Sequence, residues 1–354
     1  MKKVRNKNKK KNKGLTFLTI LFIVLDLLAI SGFVVMYGPW DYFKNLFVTT
    51  AMKTRSHKYF AYVFYTEEMV EKIMSNNYFI TIDEDVNLDD IIIDTSEKET
   101  YKDEYEKELL TREPGNDSYK VLDVKVGNAK GYLVAIYEPE KVRLLRTEKF
   151  NNGTFGDRVI DMCKRYGGTV CINGGGFANG LSNGSDIPIG YVIDDGEIAW
   201  AENNDYNRRG DIIGLTEEGK LKLMNSATGY EAIEAGVKYG LEFGPFLIVN
   251  GKSMEIHGMP YGVANKCVIA QRKDGVILFL ITEGETYIDG ASLKDVLEVL
   301  EKYGAYNAAN LDGGQSTSLV INNKLVNSPN YLAKKQGGRY VVTGFGLIPE
   351  QKTN

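Results

Sequence analysis

Residues 15–37 form an almost unbroken apolar run in which Asp26 is the lone acid. At 1.5 Å per residue such a run is about 35 Å long as a helix, enough to cross a hydrocarbon core of about 30 Å. Residues 40–77 change to apolar positions at helical spacing, with no Gly or Pro after Pro39, and predict a juxtamembrane helical segment packed on the body or on the bilayer surface. Residues 83–118 are acidic and poor in aromatics. They read as a solvated linker with a short helix around 102–110, closed by the turn Pro114-Gly115-Asn116-Asp117.

From Tyr119 the period shortens to that of strands. Runs beginning at 119, 131 and 142 read as successive strands, and 169–173 as a buried one. Further strands are predicted at 189–193, 211–215, 220–224, 245–249, 267–271, 276–282, 308–311, 317–321 and 340–348. Helices are predicted at 156–166 and 293–303, the second with Ser292 and Asp295 as its capping pair and Gly304 at its end. The pattern predicts an α+β fold, a mixed or antiparallel sheet domain with few helices. One N-terminal transmembrane helix and a helical juxtamembrane segment precede it. The implied organisation is a basic arm (1–14), a transmembrane signal anchor (15–37), a juxtamembrane helix and acidic linker (38–118), and a folded domain (119–350).

Composition sharpens the division. Of 37 glycines in 354 residues, only Gly14, Gly32, Gly38 and Gly115 precede residue 120. Glycine costs about 1 kcal/mol inside a helix, so the second part is not a helical bundle. The net charge of −4 conceals an uneven distribution, because residues 1–13 hold eight basic side chains and no acid. The arm is expected to stay cytoplasmic by the positive-inside rule, with the body outside in a single-pass arrangement at the cell membrane. The acidic body argues against nucleic acid as a partner. Asp26 is read as tolerated within the span, the alternative being pairing with another membrane helix; a membrane-protein partner could also engage 40–77. Cys163, Cys171 and Cys267 show no zinc spacing. They are read as small buried residues, the alternative being one disulfide and a free thiol. His57 and His257 are far apart, which disfavours a two-histidine phosphoryl-transfer mechanism.

Two glycine clusters follow short apolar strands: Cys171-Ile172-Asn173-Gly174-Gly175-Gly176-Phe177 and Asn310-Leu311-Asp312-Gly313-Gly314-Gln315-Ser316-Thr317. Glycine permits close backbone approach, and consecutive N–H groups can cradle an anion. Tight strand-to-turn connections explain the same residues. Neither cluster is a P-loop. A third cluster places Glu242 at the mouth of the strand that starts with Gly244-Pro245 and ends in the Asn250-Gly251 turn.

The order of these clusters resembles the phosphodiester glycosidase family over roughly residues 120–350. Asn173, Gly174, Gly175 and Phe177 match one motif, and Gly244, Pro245, Leu247 and Gly251 a second. The run from Lys266 to Ala270 with Asp274-Gly275, the helix before Asn310–Ser316, Asn327 with Pro329, and Arg339 complete it. Gln315 stands where the family usually has glycine, Lys266 where it has arginine, and Glu283 near a usual aspartate. The resemblance implies hydrolysis of a sugar-1-phosphodiester at its glycosidic bond, with a phosphate-containing glycan as substrate.

Glycosidases commonly use two carboxylates. The expected catalytic group is Asp312, with Glu283 and Glu242 as candidates for the second, and Asp186 and Asp289 nearby. An Asx-turn is the competing account of Asp312, and an ordinary surface carboxylate that of Glu242. Lys266, Arg339, Ser316, Gln315 and the N–H groups of Gly313 and Gly314 are expected around the phosphate. Asn173, with Gly174 and Gly175, is expected at a sugar hydroxyl or a water. No cofactor is required by this chemistry. A divalent cation such as calcium on Asp312 and neighbouring carboxylates is compatible with it, though no dense ligand run exists.

Overall fold

The computed structural model describes residues 11–54, 58–178, 185–284, 290–328 and 335–349. The chain forms two compact units, Met1–Asn77 and Tyr78–Asn354.

In the first unit a helix runs over Lys11–Tyr37, and its residues from Gly14 onward are long and apolar enough to cross a membrane. Three short helices follow at Asp41–Lys53, Tyr59–Phe64 and Glu67–Ser75. They enclose a small core of Val48, Ala51, Ala61, Tyr65 and Val70. The helical reading of 40–77 thus holds.

The second unit is built on three antiparallel sheets. The seven-stranded sheet has the order Lys252–Ser253, Phe246–Val249, Ala305–Leu311, Cys267–Arg272, Ile277–Glu283, Ala129–Ile136, Tyr119–Val126. A five-stranded sheet runs Lys324–Leu325, Leu319–Ile321, Val170–Asn173, Thr343–Leu347, Val142–Arg146. The other five-stranded sheet runs Leu221–Ala227, Gly210–Leu215, Tyr239–Glu242, Tyr191–Asp194, Glu197–Ala201.

Side chains alternate across a strand, and the seven-stranded sheet buries both faces. Along Ile277–Glu283, Ile277, Phe279 and Ile281 enter the main core while Leu278 and Leu280 enter a second one. That is why the run appears apolar without alternation. The main core gathers residues of all three sheets, including Val134, Ile172, Ile213, Leu241 and Phe345. On the other face, helix Leu293–Lys302 buries Leu293, Val296, Leu297, Val299 and Leu300, and Ser292 with Asp295 forms the expected capping box. Helix Val159–Arg165 packs with a third cluster, and helix Gly229–Glu234 with a fourth.

Two expectations are corrected. Residues 83–118 are not a solvated stretch: Val86, Ile91, Leu109 and Leu110 are buried, and Val86 N–H donates to Leu223 O at 3.2 Å. Most of the acids face outward, Glu106 pairs with Arg272, and widely spaced aliphatic residues anchor the strap, a pattern too sparse for periodicity to detect. The cysteines are not three inert apolar residues, because Cys163 and Cys171 form a disulfide that ties helix Val159–Arg165 to strand Val170–Asn173, leaving Cys267 free and buried.

A candidate active site where three sheet ends meet

Register brings the first candidates together. Leu311 pairs with Cys267, Cys267 with Ile281, and Ile281 with Tyr132. Asp312, Lys266 and Glu283 therefore lie at one end of the seven-stranded sheet. Neighbouring strands are about 4.8 Å apart, so the backbones at Asp312 and Glu283, two strands apart, are separated by about 10 Å.

The end of Val170–Asn173 meets this edge. Asp312 N–H donates to Gly174 O at 2.9 Å, and Asn173 Nδ2 donates to Asp312 O at 2.6 Å. The third sheet touches the first cluster through Leu241, which packs against Gly174, and residues 243–245, which lead from it into Phe246–Val249, run beside Asn310. Asn310 N–H donates to Pro245 O (3.0 Å), and Asn310 Nδ2 to Gly244 O (3.2 Å). All three glycine clusters thus converge on Asp312.

The close approach accounts for two of the glycines. A Cβ on Gly174 would lie 2.8 Å from both Leu241 Cδ2 and Thr343 Oγ1, and one on Gly313 would lie 2.5 Å from Asn265 O. Thr343 then clamps the first cluster from the next strand: its carbonyl accepts from Gly174 N–H (2.9 Å) and its hydroxyl from Gly175 N–H (3.0 Å). Thr343 carries no sequence signal, since it looks like any strand threonine.

Beyond Asp312 the chain makes a tight turn. Gly314 N–H donates to Asn265 O (2.8 Å), and Ser318 N–H to Asn173 Oδ1 (3.0 Å). Asn327 braces the turn from below, accepting from Leu319 N–H (2.7 Å) and donating to Thr317 O (2.9 Å). Arg339 Nη1 donates to Ser316 Oγ at 3.4 Å, and its guanidinium stands 5.0 Å from the Phe177 ring centroid. Arg339 thus reaches the turn that follows Asp312 through Ser316, and Gln315 in the same turn is exposed, whereas the Gly314 N–H is taken by Asn265 O. Asn310 Oδ1 and Thr317 Oγ1 are buried with no hydrogen-bond partner among the described residues.

The other candidates are placed differently. Asn173 is fully buried with both ends of its amide engaged, so it reaches the site through the Asp312 backbone rather than by touching a ligand. Glu242 packs over Gly190 and Gly210 and pairs with Arg208. Glu283 accepts from Ser328 N–H (2.6 Å) and from the Tyr132 hydroxyl (3.2 Å), with Lys130 at 3.8 Å. Asp186 holds a loop, accepting from Asn152 N–H (2.7 Å) and Thr154 N–H (2.9 Å). Burial raises its pKa, but these donors outweigh burial and hold it below the usual aspartate value. Asp289 and Pro329 lie outside the described residues. His257, half-buried, contacts Glu255 and stacks on Tyr78 in a separate two-stranded ribbon.

Lys266 is nearly buried, and desolvation pulls its ammonium down to about 8 despite the attraction of Asp295. The Cys267 thiol is pushed far up, by burial first and then by the Asp312 carboxylate. Among the described residues no three metal-ligating side chains come together.

A family model described as phosphodiester glycosidase matches residues 166–348. A SPbeta prophage-derived uncharacterized protein, YomE of Bacillus subtilis (strain 168), is 24% identical over 193 residues, 51% of this chain and 29% of that protein. N-acetylglucosamine-1-phosphodiester alpha-N-acetylglucosaminidase of Bos taurus is 25% identical over 169 residues, 46% of this chain and 28% of that protein. The chain thus spans under a third of the length of these curated relatives. Among solved structures, the zebrafish N-acetylglucosamine-1-phosphodiester alpha-N-acetylglucosaminidase catalytic domain, auto-inhibited by its pro-peptide, shares the fold. Its TM-score is 0.54 at 18% identity, covering 66% of this chain and 83% of that one. Family model and converging motifs agree: the chain belongs to the phosphodiester glycosidase family.

Proposed function

We propose that this protein is a membrane-anchored, extracytoplasmic hydrolase that cleaves the glycosidic bond of sugar-1-phosphodiesters in an envelope glycan or teichoic-acid-like polymer. The observation that carries the reading is the convergence of three sheet ends at Gly174 and Asp312, with Ser316 in the turn that follows Asp312 bonded to Arg339.

The chemistry follows from the leaving group. A phosphate monoester departs readily, so the site must neutralise it more than protonate it. The Arg339 guanidinium, the Ser316 hydroxyl and the Gly313 N–H supply donors for its oxygens. As a base, Asp312 takes a proton from water while the water oxygen bonds to C1, and the C1–O pair leaves with the phosphate. As a nucleophile, it forms a glycosyl ester that water then hydrolyses. The N-terminal helix supports anchoring, and the disulfide supports an oxidising, extracytoplasmic compartment. Among the described residues no second and third acidic, cysteine or histidine side chain joins Asp312 to hold a calcium ion.

One observation favours a second reading. Glu242 and Glu283 are both engaged by other groups, so the only carboxylate that the described residues set into the motif is Asp312. A non-catalytic glycan-binding or polysaccharide-assembly protein of the envelope would need nothing more. Incubating the full chain with a panel of sugar-1-phosphodiesters and assaying free reducing sugar separates the two. Turnover that disappears in Asp312→Asn supports the hydrolase, and binding without turnover across the panel supports the alternative.

A further inference from the structure

The helical unit exposes aromatic side chains where its span ends. Trp40 is 50% exposed and Tyr59 56%, and Tyr42, Phe43, Tyr62 and Phe64 are also exposed. Only residues 38–40 separate the apolar helix from the next one, a reach of about 10 Å at full extension. The chain is then tied back to the same point. Tyr65 Oη donates to Met36 O at 2.8 Å, and Tyr37 Oη donates to Phe64 O at 2.9 Å. Both aromatic groups, 40–43 and 59–64, are therefore held beside the last turn of the span.

Met69 apart, the rest of the short helices is polar where it is exposed. Helix Glu67–Ser75 buries Val70 and presents Glu67, Glu68 and Glu71 to solvent. An aromatic face next to a span, with carboxylates beyond it, has the polarity sequence of a membrane interface. Tryptophan and tyrosine rings settle at headgroup level because one part of each is apolar and the other polar.

We propose that this aromatic face lies in the headgroup region of the bilayer that helix Lys11–Tyr37 crosses, so that the three short helices form an interfacial collar with lipid as partner. The proposal rests on reading that helix as a span. The collar fixes the start of the chain leading to the second unit at the membrane surface, where an envelope polymer attached to lipid would be within reach.

The test uses the full chain in phosphatidylcholine nanodiscs whose acyl chains carry bromine either near the glycerol end or near the methyl end. Trp40 and Trp200 are the only tryptophans, so a Trp200→Phe background isolates Trp40. If that variant fails to fold, the difference between wild type and Trp40→Phe reports the same signal. The expected result is a blue-shifted Trp40 emission, quenched at least about twofold more by shallow than by deep bromine. Retention in the disc with no quenching overturns the proposal while the anchor stands: a second copy, another protein or the second unit would then cover the face. Failure to enter the disc overturns the anchor and the collar together.

Discussion

The two ends of the seven-stranded sheet both concentrate polar groups, and they do so in opposite ways. At one end Arg272, nearly buried, spends its whole guanidinium on fixed partners. It reaches Glu106 Oε1 at 2.8 Å, Asp274 Oδ2 at 2.8 Å and Tyr303 O at 2.7 Å, and Lys98 adds contacts of 3.6 and 3.5 Å to the same two carboxylates. This closed ion network pins the strap of residues 98–106 to the sheet. At the other end, about 20 Å away along Cys267–Arg272, the hydrogen bonds go mostly between backbone and amide side chains. Asn310 Oδ1 and Thr317 Oγ1 are left without partners among the described residues. Asn307 Nδ2, whose residue pairs with Gln271 next to Arg272, is likewise unpaired among the described residues, and buried polar groups left incomplete cost stability at either end. We propose that the charge-paired Arg272 end holds the domain together and that the Asp312 end acts.

Substitutions can separate these roles. Asp312→Asn removes the charge and keeps the shape, so kcat on a sugar-1-phosphodiester should fall about 10²–10⁴-fold while the melting temperature stays within about 2 °C. A matching loss of folding would place Asp312 with the structural residues. Arg272→Ala strands two carboxylates and should cost about 3 kcal/mol, seen in calorimetry as a drop of about 6–12 °C, with kcat per folded molecule unchanged. Replacing Cys163 and Cys171 with alanine releases a short loop and should cost about 2.5 kcal/mol by denaturant titration. A larger effect on kcat than on stability would show that the bridge also orients Asn173.

Glu242→Gln tests whether its pair with Arg208 is structural. About 1–2 kcal/mol of stability should go, with kcat within about threefold of wild type; a collapse of kcat would return Glu242 to the chemistry. A pH-dependent effect concerns Lys266, whose ammonium is lowered to about 8 in the folded chain from 10.5. Below pH 8 both states are charged and burial penalises only the native one. Between about 8 and 10.5 the unfolded chain holds more protons, so this group's contribution rises with pH. Lys266→Met should thus be more stable than wild type at pH 7, and the gap should close as the pH approaches 10.5. A constant gap would show that Lys266 carries no such penalty.

Much of the fold was legible because period and punctuation agree in it. Strand 277–283 carries a sustained apolar run and 119–126 alternates apolar with polar residues, while of 305–311 only 308–311 reads as a strand; helix 293–302 carries its own capping pair. The third sheet was half missed: Glu197–Ala201 and Tyr239–Glu242 are short, and glycine and glutamate dilute their pattern. The site was legible as motifs but not as roles. Nothing in the one-dimensional chain shows that Asn173 is sealed beneath Asp312, that Thr343 holds two glycine N–H groups, or that Arg208 captures Glu242. Those are contacts between residues 34 to 169 positions apart, created when the three sheets meet.

The central claim is that the bond between C1 and the bridging oxygen breaks. Hydrolysis of a sugar-1-phosphodiester by the full chain in ¹⁸O-labelled water, read by mass spectrometry of both products, tests it most directly. The account predicts the label in the hydroxyl of the released sugar and none in the phosphate. Label in the phosphate would reveal attack at phosphorus and contradict it.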